Sequence, residues 1–192
     1  MSSHNYYFLV SSLPMLHLGE ELPMTSEEFL ADSQLHLPSE QVDILRATTP
    51  EPNGAPATEV EREWLAWETY FRNAIAAERA SKSDRRPEEW LRHETDVFPG
   101  VRKQLSDAFS AANPAERELA IDGLRWKKLD DIQSRHLFDF GALVLYRIRL
   151  QIAERWARKD VGQAQQNLRE LLDTVDEQAQ QLRRTADSAT TT

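Results

Sequence analysis

The stretch from Thr58 to Lys82, TEVEREWLAWETYFRNAIAAERASK, constrains the fold more than any other part of the chain. Val60, Trp64, Trp67, Phe71, Ala74 and Ile75 recur at helical spacing, the 3.6-residue signature of a buried face. Nearly opposite stand Ala66, Asn73, Ala77 and Ala80, whose small side chains let a second backbone approach. A helix with packing demands on two sides belongs inside a bundle, so this segment is expected to be its spine. Thr58 and Glu61 supply a capping box for its start. Trp64, Trp67, Phe71 and Asn73 are the first candidate structural or interface residues.

The rest of the chain repeats the helical habit. Only six glycines are spread over 192 residues, and long stretches are rich in Ala, Leu, Glu, Arg and Gln, which favours helix over sheet. The aromatic run in NYYFLVSSLPML, residues 5–16, fits either a short strand or a turn and a half of helix, and Pro14 ends it by biasing Leu13 to an extended backbone. A lone strand would leave its edges unpaired, so helix or irregular packing is preferred there. Thr25 and Glu28 form a capping box for TSEEFL, and Pro38-Ser39 starts a short helix through Arg46. Three prolines and one glycine in TTPEPNGAPA, residues 48–57, read as an exposed linker and the first site of cleavage.

Beyond the spine, Pro87 opens the short helix PEEWLRHE and Pro99 opens the next, with Val101, Leu105, Ala108 and Phe109 inward. Asn113-Pro114 with Glu116 caps a helix reaching about Gln133, which places Leu119, Trp126 and Leu129 on one apolar side and Ile121, Leu124 and Ile132 on another. Gly123 within it marks either a close helix crossing or a tolerated interruption costing about 1 kcal/mol relative to alanine. A second long helix is predicted from Asp139 to Lys159. Its apolar arc holds Leu143, Leu145, Tyr146, Ile148, Leu150, Ile152, Ala153 and Trp156, and its wet side holds Arg147, Gln151, Glu154 and Arg158. Arg149 falls inside the arc, where an unpaired buried charge costs several kcal/mol, so it requires either an internal ion pair or a contact with a partner or ligand. A last stripe carries Leu168, Leu171, Leu172, Val175, Ala179 and Leu182. The predicted fold is all-α, a multi-helix bundle with at most one short amino-terminal strand. Its expected parts are an acidic helical lobe at 1–47, a linker at 48–57, the bundle at 58–184 and a disordered tail at 185–192.

Charge narrows the partners. Residues 1–60 hold nine acids against the single base Arg46, a net of −8, while the whole chain carries −9. Such an acidic first third repels phosphate backbones, which argues against nucleic acid; it is either a solvated surface or a face for a basic protein. The absence of cysteine excludes disulfides and thiol chemistry. No secretory leader is expected, because YYFLV is a short apolar run without preceding basic residues. Direct insertion into a bilayer is not expected either, since the most apolar region, Phe140 to Ala153, contains Arg147 and Arg149.

Signs of chemistry are scarce. The sequence has no Gly-rich phosphate loop, no G-x-S-x-G and no H-E-x-x-H. His93, Glu94 and Asp96, joined in space by His136, are the nearest approach to a metal cluster, but they lack recognised ligand spacing. No catalytic residue, metal or cofactor is therefore expected.

A resemblance extends this reading. YFRNAIAAERASKSDRRPEEWLRHETDVFPGVRKQL resembles the C-type (or d-type) subunits of V-type ATPases in Asn73, Arg79, Ala80, Lys82, Pro87, Glu88 and Glu89: an asparagine-bearing helix, a basic ending, a short loop and a proline-plus-acid helix start. NYYFLVSSLPML, TSEEFL and FDFGALVLYRIRLQIAERWARKD are similar to a compact bacterial branch found among V-type ATPase genes. The resemblance implies an all-helical, non-catalytic coupler that joins the rotor ring to the central stalk, on the cytoplasmic side and peripheral to the inner membrane through the complex. It adds Arg79 and Lys82 to the candidate interface residues, beside Arg149. Full-length members carry three related helical lobes, more than 192 residues easily hold, which implies a minimal coupler or an assembly factor. The alternative is a stand-alone helical adaptor or assembly protein for another complex. An enzyme built on the His93, Glu94, Asp96 and His136 cluster is the remaining reading.

Overall fold

The aromatic run at the amino end is helix. Tyr6 and Phe140 lie 6.2 Å apart between ring centroids, and Leu9 is buried, so this segment satisfies its own backbone and packs one edge on the neighbouring helices. In the computed structural model, residues 4–51, 53–81, 91–93 and 96–159 are described, with only the backbone of residues 4 and 5. The fold is all-α, and the described residues include no strand. In chain order the elements are α1 His4–Ser12, α2 Ser26–His36, α3 Ser39–Ala47, α4 Glu59–Ser81, α5 Val101–Phe109 and α6 Pro114–Gln133. The seventh, α7, is helical over residues 140–159.

Caps set where these helices begin. At α2 the Thr25 hydroxyl accepts from the Glu28 amide at 3.2 Å, and the Glu28 carboxylate accepts from the Thr25 amide at 2.8 Å, the reciprocal box expected from the spacing. Thr58 and Glu61 do the same for α4 at 3.1 Å each way. Asn113 accepts from the Ala115 amide at 2.8 Å, with Pro114 in the first turn of α6. The start of α5 instead uses Gly100 at φ 85°, so that helix opens at Val101, just beyond Pro99.

Packing falls into two groups. α1 lies on α2 and α2 on α3; α4 lies on α5 and α6, which also touch each other. α7 joins the groups and is enclosed nearly all round: Ala142, Leu143, Val144, Leu145, Ile148, Leu150 and Ile152 are each no more than 3% exposed. The spine expected in α4 is thus shared, and α7 is the more central helix. Its predicted wet side is covered in part: Gln151 and Glu154 are half-buried, and Arg158 is exposed. Arg147 is buried, because α2 and α3 lie over that face.

Polar residues of α7 meet the ends of those two helices. Arg147 donates to the Leu45 carbonyl at 3.2 Å and to the Ser26 hydroxyl, and Gln151 donates to the Thr48 carbonyl at 2.8 Å. The Glu154 carboxylate accepts from the Ser26 amide at 2.6 Å. A cation and an amide therefore face the carbonyl-rich end of α3, and an anion faces the amide-rich start of α2, which satisfies groups no helix can satisfy internally.

The proline-rich stretch is pinned at its start. Thr48 is buried and donates to Glu61 at 2.7 Å, while the Trp64 indole donates to the Pro50 carbonyl at 3.1 Å. The chain divides into two compact units, Met1–Glu154 and Arg155–Thr192, so both helix groups belong to one unit. In the described part of the second unit, the Lys159 ammonium lies 4.6 Å from the Trp156 ring centroid. Of the helix predicted to open at Pro87, only Leu91, Arg92 and His93 are described, and they are not helical; the stripe from Leu168 to Leu182 and the tail at 185–192 lie outside the described residues.

On α6 the apolar assignment holds in part. Ile121, Leu129 and Ile132 are buried, but Leu119 is 41% exposed. An added Cβ at Gly123 would meet nothing within 4 Å, so this glycine is a tolerated interruption and not a close crossing. The tight approach is at Gly141, where a Cβ would come within 2.7 Å of His136 Nδ1 and 2.8 Å of Val60 Cγ2.

Candidate functional site

The stripe of α4 forms the inner wall of the α4, α5 and α6 group. Trp64 and Phe71 are fully buried; the Trp67 ring stacks on Phe71 with centroids 4.6 Å apart and planes at 15°, and lies 5.5 Å from Trp64. Val60, Ala74 and Ile75 complete the buried face.

Set into this apolar wall is a carboxylate that the periodicity did not single out. Glu68 is fully buried, four residues after Trp64 and three before Phe71, hence on the same stripe. Arg125 of α6 donates to it through Nε at 3.0 and 3.1 Å and through Nη2 at 2.8 Å. Arg72, a turn along α4, donates through Nε at 2.7 Å. The remaining Arg125 nitrogen, Nη1, donates to Asp122 at 2.8 Å, and the guanidinium stands 4.9 Å from the Phe71 ring centroid. Burial works against the Arg125 charge, but Glu68 and then Asp122 outweigh it and raise its pKa above the ordinary arginine value. The only hint in the sequence was an acid interrupting an aromatic stripe, with an Asp122/Arg125 pair at i,i+3 on a later helix.

Near the other end of α6, Glu63 accepts from Arg135 at 2.7 Å and from Lys128 at 3.1 Å. Partial burial raises its pKa, and the bonds from the two cations more than reverse this, so the carboxyl titrates below the ordinary value. Asn73 is buried on the next turns of α4 and uses both ends of its amide on one residue. It donates to the Arg92 carbonyl at 2.8 Å and accepts from the Arg92 amide at 2.9 Å, holding that residue's backbone against the helix.

Arg149 finds its counter-charge inside the chain. Nη2 donates to Asp130 at 2.6 Å and Nη1 to Gln133 at 3.1 Å, and the guanidinium lies 5.8 Å from the Trp126 ring centroid. Burial lowers its pKa, with Asp130 offsetting part of that effect. These residues line an open cleft of about 460 Å³ between the chain after α1 and the α6 and α7 helices, with Leu13, Pro14 and Met15 opposite. Tyr146 donates from the cleft wall to the Pro14 carbonyl at 3.0 Å, and burial pushes its hydroxyl up to about 12. A smaller cleft of about 300 Å³ brings the exposed Arg79 near Arg117 and Phe109. Lys82 lies outside the described residues.

The remaining polar candidates do not converge. His136 faces Asp139 at 2.8 Å, and Asp139 accepts from the Ala142 amide at 3.0 Å, which makes the pair a cap on the start of α7. His93 and Asp96 are exposed and Glu94 is outside the described residues; among those residues no group of three His, Cys, Asp or Glu side chains could hold a metal. What the arrangement does is brace helices against each other: α4 to α6 through Glu68, and α7 to α6 through Arg149.

The family model described as "Protein of unknown function (DUF2764)" matches residues 95–179, which takes in α5, α6 and α7 but not the α4 stripe. The match covers less than half of the chain. No curated protein and no solved structure gives a significant match.

Proposed function

We propose that this chain is a non-catalytic accessory or coupling subunit of a bacterial V-type ATPase, a stiff helical piece acting between the rotor ring and the central stalk. The observation that carries this reading is the resemblance of residues 70–103 to the C-type subunits of these ATPases, together with that of 5–13, 25–30 and 138–160 to a compact bacterial branch found among V-type ATPase genes. The geometry is in keeping with it. A part that passes torque must not shear between its helices, and the buried Glu68–Arg125 tie and the Arg149–Asp130 tie each bind one helix to another through charge-assisted bonds. Asn73 of the resembling segment holds the chain that follows α4, giving that motif a mechanical role. Among the described residues no helix is long and apolar enough to cross a membrane, so attachment would run through the complex.

The alternative, a stand-alone helical adaptor or assembly protein, draws on the same bracing without the ATPase. Affinity purification of the tagged chain from its own host, in mild detergent and low salt, separates the two. Recovery of ATPase subunits in fixed proportion is the expected outcome. Recovery of an unrelated complex, or of nothing while the ATPase stays intact, leaves the adaptor reading standing.

A further inference from the structure

α1 buries one edge and leaves large apolar side chains on the other. Leu9 is fully enclosed, whereas Tyr7 is 56% and Phe8 69% exposed. The Tyr7 ring lies 4.7 Å from that of Phe138, which is 46% exposed and follows Leu137 at 62%. On the other flank Phe8 lies 6.3 Å from the His36 ring at the end of α2. Two segments distant in sequence thus bring rings together at the surface, in the tilted arrangement aromatic pairs adopt in cores. Scattered apolar residues on a surface need no explanation; a cluster of this kind marks an interaction site.

The charge of the helices beneath α1 decides what fits, since Arg135, two residues before Leu137, is already paired with Glu63. α1 rests on α2 and α2 on α3, and these helices expose Glu27, Asp32 and Glu40, while Arg46 is already paired with Asp43. A second copy of the chain would bring two segments of −8 together, and an anionic lipid surface would meet the same repulsion. A cationic protein segment is drawn in instead. We infer that the Tyr7, Phe8, Leu137 and Phe138 surface docks a basic amphipathic helix of a protein partner, with its apolar edge on the rings and its Lys or Arg side chains toward the acids of α2 and α3. Such a helix offers apolar anchors every three or four residues and supplies the missing cover for the rings. The inference does not depend on which complex the chain joins, so it fails separately from the ATPase reading.

The test uses the full chain and three probes: a labelled synthetic helix with a leucine edge and lysine flanks, its glutamate-flanked counterpart, and vesicles of anionic lipid. Fluorescence anisotropy should show the lysine-flanked helix binding and weakening as salt rises, because attraction between exposed charges is screened over about 8 Å at physiological ionic strength. Phe8→Ser combined with Phe138→Ser should weaken it by about tenfold or more, the scale of losing aromatic anchors. Leu119→Ser, at an exposed leucine on α6, should leave binding unchanged. Hydrogen-exchange protection on binding should fall on α1 and residues 137–138. Equal binding of the glutamate-flanked helix, undiminished binding by the double variant, protection elsewhere, or preference for the vesicles would each overturn the inference. So would a dimer in sedimentation that the double variant abolishes.

Discussion

Glu68 is held by two arginines inside an aromatic wall, and removing it does more than delete one ion pair. Glu68→Ala leaves Arg125, itself largely buried, facing Phe71 with Asp122 as its remaining carboxylate. We expect a loss of about 3–5 kcal/mol in urea unfolding, the usual cost of stranding one buried charge. Replacing Glu68, Asp122 and Arg125 together by apolar residues should cost much less; equal losses would mean the tie itself, and not the stranded charge, carries the energy. Glu63 behaves differently because water reaches it. Its pKa is depressed in the fold, so its contribution is present above the ordinary glutamate value of about 4.5 and is lost as pH falls through the lower folded value. Glu63→Gln should therefore lower the melting temperature at neutral pH, by less than about 1 kcal/mol of stability, and match the parent in acid. A gap that persists in acid would place the effect in packing instead. The apolar residues of the α4 stripe were legible because they recur at 3.6-residue spacing on both sides of Glu68. Glu68 was not, since hydropathy ranks a glutamate as exposed whatever stands beside it, and the arginine that permits its burial comes 57 residues later.

The helices themselves were legible where caps and breakers mark them. Thr25 with Glu28, Thr58 with Glu61 and Asn113 with Pro114 open helices as their spacing requires. The aromatic run of α1 is ambiguous between strand and helix in sequence, because Tyr, Phe and Val favour a pleated surface locally and only tertiary packing settles the choice. α7 misled for a related reason. A two-sided wheel assumes that polar residues face water, but Arg147, Gln151 and Glu154 face the ends of α2 and α3. Glycines test this picture of which helices touch. Gly123→Ala should stabilise by about 0.4–1 kcal/mol, since the added methyl meets open space and an alanine has less freedom to lose on folding. Gly141→Ala should destabilise by about 1–3 kcal/mol, because its methyl overlaps Val60 and the His136 ring. Thermal denaturation of the two variants decides; a reversal of sign at either position would mean that the α6 or α7 packing is misassigned.

At the scale of the whole molecule, α7 is what makes one unit of two helix groups. It binds the acidic helices α2 and α3 through their ends and α6 through Arg149, so the amino-terminal segment and the helices after the proline-rich stretch form one compact unit up to Glu154. A body of this kind suits a coupler, whose task is to pass motion without absorbing it. The sequence announced the helical class and the acidic first third; it did not announce the cross-ties, which depend on side chains that meet only after folding. The proposed coupling role is tested most directly on membrane vesicles from a host lacking this gene. ATP hydrolysis and ATP-driven ion uptake are measured together, before and after adding back the purified chain. A coupler requires that hydrolysis continue while ion uptake falls, and that the added chain restore uptake. Hydrolysis and uptake both equal to those of the parent strain would rule that role out.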